Sequence, residues 1–245
     1  MGTEIHMKKF LLATTILAGA AGAAQSADLP YKSAPMPMVA AANWSGCYVG
    51  GTLGGGFAWT QNTATANGTA FGDFGVGQGY SNPSSGFVGG GFIGCNYQTG
   101  RTVWGIEGSY LGSAIKADYN NPFGNDVYTN KITDIATVTG RVGMAFDSWL
   151  FYTKIGWAGA KATLSVVDSV APTGSGTATV WHNGITIGSG IEYMLTPNWI
   201  VGFETNYYRF ESKSYELGTV ATGLYTFSSR PRDVTTVLGR VSYKF

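Results

Sequence analysis

Charge is scarce in this chain of 245 residues: Asp, Glu, Lys and Arg together make up 12%, against about 25% in ordinary soluble domains. A net charge of +1 gives no electrostatic basis for gripping nucleic acid or an anionic membrane surface. Histidine occurs only at His6 and His182, which excludes a multi-histidine metal site. Long apolar runs are missing too. Past the N-terminal stretch, no segment reaches the ~18 consecutive apolar residues of a membrane-spanning helix. No phosphate-cradling GxxxxGK[ST] motif and no GxSxG nucleophile elbow occurs. Gly89-Gly90-Gly91-Phe92-Ile93-Gly94 matches GxGxxG formally, but that pattern needs a following helix to hold a pyrophosphate. Here a strand pattern continues to Tyr97, so the glycines read as places of bending and close packing.

What the chain does have is glycine, at 37 residues roughly twice its average usage, and 14% aromatics. Low charge with abundant Gly, Tyr, Phe and Trp suits a β surface with one side against lipid. The N-terminus reads as an export signal over residues 1–27. Lys8 and Lys9 supply the positive region, Phe10 to about Ala21 the apolar region, and Ala24-Gln25-Ser26-Ala27 the small-residue cleavage site. Met1–His6 precede a natural-looking start at Met7. Residues 28–43, with Pro30, Pro35 and Pro37, read as an extended periplasmic linker, and 44–245 as one barrel domain.

From Trp44 onward, segments of about ten residues alternate apolar with small or polar, the pattern of a transmembrane barrel. Eight are expected: 44–59, 85–97, 102–111, 133–146, 149–162, 181–195, 199–210 and 233–245. Tight turns at 98–101, 147–148 and 196–198 alternate with long polar connections at 60–84, 112–132, 163–180 and 211–232. The fold class is therefore all-β: an eight-stranded antiparallel up-and-down barrel, with short periplasmic turns and long external loops. Aromatics at strand ends (Trp44, Tyr97, Trp104, Trp149, Tyr193, Trp199, Tyr243 and Phe245) read as interfacial girdles.

The few strand charges fall opposite the large apolar residues. Glu107, Arg141, Lys154, Glu192, Glu204 and Arg240 would point into the lumen, because Arg or Lys facing lipid near mid-membrane costs roughly 2–4 kcal/mol. Two readings stand: a paired network closing the lumen, or a hydrated polar interior. Cys47 and Cys95 are an even pair in an exported chain. They fall on the same face and at the same end of neighbouring antiparallel strands, so a disulfide is expected. His182 sits near the outer end of its strand, and no nucleophile or orienting acid patterns with it. The chain is read as no enzyme, with no cofactor.

With the strands placed, the sequence resembles the small outer-membrane immunogenic proteins of α-proteobacteria, the Omp25/Omp31-like group of the OmpA-type eight-stranded β-barrel superfamily. The stretches that carry this are Ala27-Asp28-Leu29-Pro30, Trp44-Ser45-Gly46-Cys47-Tyr48-Val49-Gly50-Gly51, Gly105-Ile106-Glu107-Gly108, Gly140-Arg141-Val142-Gly143, Pro197-Asn198-Trp199 and Val241-Ser242-Tyr243-Lys244-Phe245. The resemblance spans essentially the whole mature chain. It implies a Gram-negative cell-outer-membrane location, abundant surface display and support of envelope integrity. Some relatives are implicated in haem binding, but no haem pattern is visible here. The paired cysteines mark a subset of the family. Val241, Tyr243 and Phe245 alternate as in the signal read by the barrel assembly machinery. Expected partners are outer-membrane lipid, lipopolysaccharide and that machinery, with host or ligand contact through external loops and no nucleic acid. The function expected is structural and antigenic, around a narrow, largely filled lumen. The alternatives are a small passive pore and a ligand-binding surface barrel.

Overall fold

A computed structural model describes residues 42–66, 76–121, 126–168, 175–217 and 225–245, excepting the side chains of Tyr225 and Arg232. The expected export signal and all but the end of the linker lie outside the described residues. Among the described residues nine strands are formed: β1 Gly46–Ala66, β2 Gly79–Thr99, β3 Thr102–Asn120, β4 Asp126–Phe146, β5 Trp149–Asp168, β6 Gly176–Met194, β7 Trp199–Phe210, β8 Lys213–Leu217 and β9 Tyr225–Lys244. Neighbours in sequence pair antiparallel, and β1 pairs with β9 to close the ring. β7 and β8 lie end to end along β9, from Trp199↔Tyr243 up to Leu217↔Tyr225. The nine strands therefore make eight staves, the seventh broken at residues 211–212. From the short turns up to Gly184 and Phe210 each stave is paired on both sides, which satisfies its backbone polar groups; beyond that point β8 continues the seventh stave along β9.

The short turns sit at one end. Thr99 pairs with Thr102 and Phe146 with Trp149, leaving two-residue hairpin loops at Gly100-Arg101 and Asp147-Ser148. Such loops match strand twist when the first residue is left-handed. Gly100 (φ 61°) and Asp147 (φ 50°) provide this, Asp being among the few side chains that tolerate it.

Large apolar residues face outward in a band. One aromatic ring lies near the short turns: Tyr97, Trp104, Phe146, Trp149, Trp199, Tyr243 and Phe245, all exposed. The rings of Trp149 and Tyr193 touch at 4.6 Å between centroids, and those of Trp199 and Tyr243 at 5.3 Å. A second ring holds Trp59, Tyr110, Trp157, Trp181 and Tyr207. There the hydroxyls of Tyr110 and Tyr207 donate to Asp134 and Asp233 at 2.7 and 2.5 Å, so their polar tips point out of the band.

Two expectations are corrected. Trp44 is not a girdle residue. It is fully buried, packed with Val103, Ala145, Leu150, Tyr152, Met194 and Ile200 across the short-turn mouth of the ring. Its backbone N–H donates to Gln98 Oε1 at 2.7 Å, and Lys244 Nζ donates to the Asn43 carbonyl just before it. These two contacts hold Asn43 and Trp44 across the mouth, which carries the indole inside rather than outward.

The connections read as long polar loops are in large part strand. β1 runs to Ala66, β2 starts at Gly79, β4 at Asp126, β6 at Gly176 and β9 at Tyr225. The staves thus continue well past the second aromatic ring. The alternation is lost to view because three staves change phase at that ring. Pairing jumps from Ile132↔Ala162 to Asp134↔Lys161, and from Trp59↔Asp233 to Thr60↔Pro231. Thr133 and residue 232 are therefore bulge residues, and the 211–212 break acts alike on the seventh stave. One extra residue exchanges every inward and outward position beyond it. Inward positions in β4 are odd-numbered below (Ile135, Arg141) and even above (Tyr128, Asn130).

Candidate functional site

The interior is layered. Above the Trp44 plug, six adjacent staves each place one charge inward at a similar height: Glu107 on β3, Arg141 on β4, Lys154 on β5, Glu192 on β6, Glu204 on β7 and Arg240 on β9. All six are buried. β1 and β2 complete the circle with Tyr48 and Phe92. The small bore of an eight-stave ring brings side chains from opposite walls into contact.

Glu107 is the hub. It receives Lys154 Nζ at 3.1 Å, Arg141 Nη1 at 3.3 Å and Arg240 Nη2 at 2.5 Å, and the Tyr48 hydroxyl donates to it at 2.9 Å. Glu192 holds Arg141 Nη2 at 2.8 Å and lies 3.5 Å from Arg240 Nε. Glu204 pairs with Arg240 Nη1 and with Lys154 Nζ, the latter at 2.6 Å. It also accepts from Tyr152 Oη at 2.7 Å and from Asn206 Nδ2 at 2.9 Å. The guanidiniums stack as well, Arg240 3.8 Å from the Phe92 ring centroid and Arg141 3.9 Å from that of Tyr152. Three cations meet three anions, so the network is neutral. Arg141 and Lys154 are direct cross-strand partners, a like-charge pairing that repels unless carboxylates intervene; Glu107 bridges both.

Glycine makes the room. A Cβ at Gly94 would sit 2.5 Å from Tyr48 Oη, and one at Gly190 2.5 Å from the Tyr152 ring. Small residues on the inner wall thus leave volume for the long charged side chains of neighbouring staves. The structure brings all six sequence-read charges into one cluster. Tyr48, Phe92, Tyr152 and Asn206 were missed as members. Their signal was present, since each falls on the inward phase of its strand, where a large aromatic has no lipid to face.

Above the charges lies an apolar layer including Leu111, Ile115, Ile132, Ile135, Tyr208, Phe210 and Leu238. A further cluster beyond the second ring contains Tyr80, Tyr128, Leu164, Tyr215, Leu217 and Phe227. Between them sits a cavity of about 10 Å³ lined by Thr60, Ser84, Asn130, Tyr215 and Ser229 among others, room for about one water. His182 is fully buried nearby. Its Nδ1 lies 2.8 Å from the Glu211 carbonyl, to which Nδ1–H donates, leaving Nε2 to accept from the Tyr215 hydroxyl at 2.7 Å. Among the described residues, no group of three or more His, Cys, Asp or Glu side chains is placed to hold a metal ion.

Cys47 and Cys95 form a disulfide between directly opposed residues of β1 and β2. It lies on the outer face near the short-turn end, with both cysteines exposed. The pairing it clamps is rich in glycine, including Gly51↔Gly91 and Gly56↔Gly86, where side-chain packing specifies register weakly. Val241, Tyr243 and Phe245 also face outward, with Tyr243 and Phe245 in edge contact at 5.4 Å.

Known proteins share this architecture. The chain is 31% identical over 185 residues to a 22 kDa outer membrane protein of Rhizobium leguminosarum bv. viciae, covering 74% of this chain and 71% of that one. The crystal structure of the outer membrane protein OprG from Pseudomonas aeruginosa superposes with a TM-score of 0.52 at 12% identity, over 82% of this chain and 96% of that one. The family model for the outer membrane protein beta-barrel domain matches residues 11–245, and with the closed antiparallel ring and its lipid-facing band this places the chain in that family, as a barrel of the outer membrane.

Proposed function

We propose that this protein is a non-conducting structural barrel of the envelope that displays its long connections to the cell exterior as surface antigen. The observation that supports this best is the stack of buried side chains across the bore: the Trp44 plug, the neutral ion network, then two apolar layers. An ion entering would have to displace paired charges from one another and then cross apolar packing, both costly in a low dielectric. The reading includes no catalytic step and no cofactor. The short turns face the periplasm, residues 1–27 are removed on export, and residues 28–43 lead from the periplasm to Trp44. Lipid and lipopolysaccharide surround the apolar band, and the assembly machinery reads β9 through Val241, Tyr243 and Phe245.

The test is conductance. Refolded protein inserted in planar bilayers is expected to give a flat baseline, and discrete, voltage-proportional steps would refute the closed lumen in favour of a small pore. An epitope tag placed between residues 217 and 225 should be labelled by antibody on intact cells; labelling only after permeabilisation would reverse the orientation.

A further inference from the structure

The outer wall places cations on three neighbouring staves where its apolar band ends. Lys116 on β3, Lys131 on β4 and Lys161 on β5 all point outward and are exposed. Lys116 and Lys131 are direct cross-strand partners. Lys161 lies one outward position along β5 from Thr163, the partner of Lys131. The second aromatic ring fixes their level. Lys161 is the direct partner of Trp181. Lys116 is the partner of Ser85, which lies one outward position from Pro83, the partner of Trp59. Hydroxyls flank the lysines in the same row: Ser85 on one side and, on the other, Thr163, which bonds to Thr179 at 2.9 Å. Two carboxylates share this face, and both are engaged. Asp118 meets Lys116 at 3.2 Å and accepts from Thr129 at 2.7 Å. Asp134, the cross-strand partner of Lys161, accepts from Tyr110 and Thr133 at 2.7 and 2.6 Å. Among the described residues Lys131 and Lys161 form no ion pair.

The lumen shows what such an arrangement needs. There the like-charged partners Arg141 and Lys154 are bridged by Glu107. On the outer wall Lys116 and Lys131 oppose one another in the same way, but Asp118 pairs with Lys116 alone. Like charges directly opposite destabilise a strand pair, and an anion set between them removes that cost. Bulk water with salt screens exposed charges; at the edge of an apolar band the screening is weaker. Three ammonium groups with hydroxyl donors beside them suit a phosphomonoester, which has about −1.5 to −2 charge and three strong acceptor oxygens. The aromatic ring marks the level at which lipid headgroups begin. With the long connections outside the cell, as proposed above, that level is the headgroup region of the outer leaflet, where lipopolysaccharide holds its phosphates. Resting on that reading, we propose that Lys116, Lys131 and Lys161 form a binding site for a phosphate of the lipopolysaccharide headgroup. The phosphate bridges Lys116 and Lys131 as Glu107 bridges Arg141 and Lys154, with Lys161 beside it. The acyl chains lie over the exposed apolar side chains below, Tyr110, Val138 and Trp157.

The experiment titrates the full chain, refolded in micelles of uncharged detergent, with lipopolysaccharide and follows the complex by native mass spectrometry. Lys116→Gln, Lys131→Gln and Lys161→Gln together should weaken binding at least about tenfold, with heat-modifiable gel mobility retained. The same three positions changed to Arg keep the charge and should keep the affinity. Lipopolysaccharide stripped of its phosphates should bind the wild type as weakly as intact lipopolysaccharide binds the Gln variant. A Gln variant that binds like the wild type, or an Arg variant that binds no better than the Gln variant, would overturn the site. Displacement of lipopolysaccharide by phosphatidylglycerol or by inorganic phosphate at equal concentration would overturn the choice of ligand. Binding in micelles does not depend on the direction of insertion, so these outcomes are separate from those of the epitope tag that tests orientation.

Discussion

The barrel is two structures on one set of staves. Between the aromatic rings its outside is apolar and its inside ionic: Ile106, Ile155 and Phe203 face lipid, while Glu107, Lys154 and Glu204 face one another. Beyond the second ring the arrangement is reversed. Thr129, Thr163 and Thr179 line the outside, while Tyr128, Leu164 and Phe227 fill the interior. The staves run on antiparallel through both halves, and the difference follows the solvent outside each. Where lipid is outside, polar groups can only go inward and must then satisfy one another. Where water is outside, apolar groups go inward, as in any soluble protein. The bulges at Thr133 and residue 232 and the break at 211–212 lie where one regime gives way to the other.

The largest expected effect comes from unbalancing the ionic half. Glu107→Ala leaves Arg141, Lys154 and Arg240 short of their shared carboxylate, and breaking a buried pair costs about 3–5 kcal/mol. Urea unfolding in lipid vesicles, followed by gel mobility, measures it; a loss below about 1 kcal/mol would mean that water already solvates the lumen. Next is one substitution made twice on the outside of β5. Ile155→Arg, facing lipid, should cost about 2–4 kcal/mol, whereas Thr163→Arg, eight residues along and facing water, should stay within about 0.5 kcal/mol. Equal costs would erase the boundary drawn at the second ring. The smallest effect is expected at His182, whose ring nitrogens join the Glu211 carbonyl to the Tyr215 hydroxyl. His182→Leu removes both hydrogen bonds, a loss of about 1 kcal/mol. Proteolysis of the connections beyond the second ring should quicken in this variant, and an unchanged rate would remove His182 from the stability of that half.

Legibility followed the same division. The outward faces of the membrane half, from Phe87-Gly89-Gly91-Ile93 to Val237-Gly239-Val241, could be read directly, because lipid accepts only apolar or small side chains at every second position. The six inward charges followed by exclusion. The upper staves were illegible for the opposite reason. With polar residues outward and a change of phase at Thr133, residue 232 and residues 211–212, a period-two pattern read through from the membrane half places Tyr128 and Phe227 on the wrong face. Trp44 misled because an aromatic at a strand end suits an interface and a plug equally well.

By itself, then, the sequence determined the all-β class, the number of staves, the lipid face and the residues that could not meet lipid, since each of these depends on which side of a strand a residue occupies. Only the tertiary structure decided which carboxylate meets which cation, that Trp44 turns inward, and that three staves change phase at the second ring. Those depend on register and on closure of the ring, which bring together residues such as Glu107 and Arg240, separated by 133 positions in the chain.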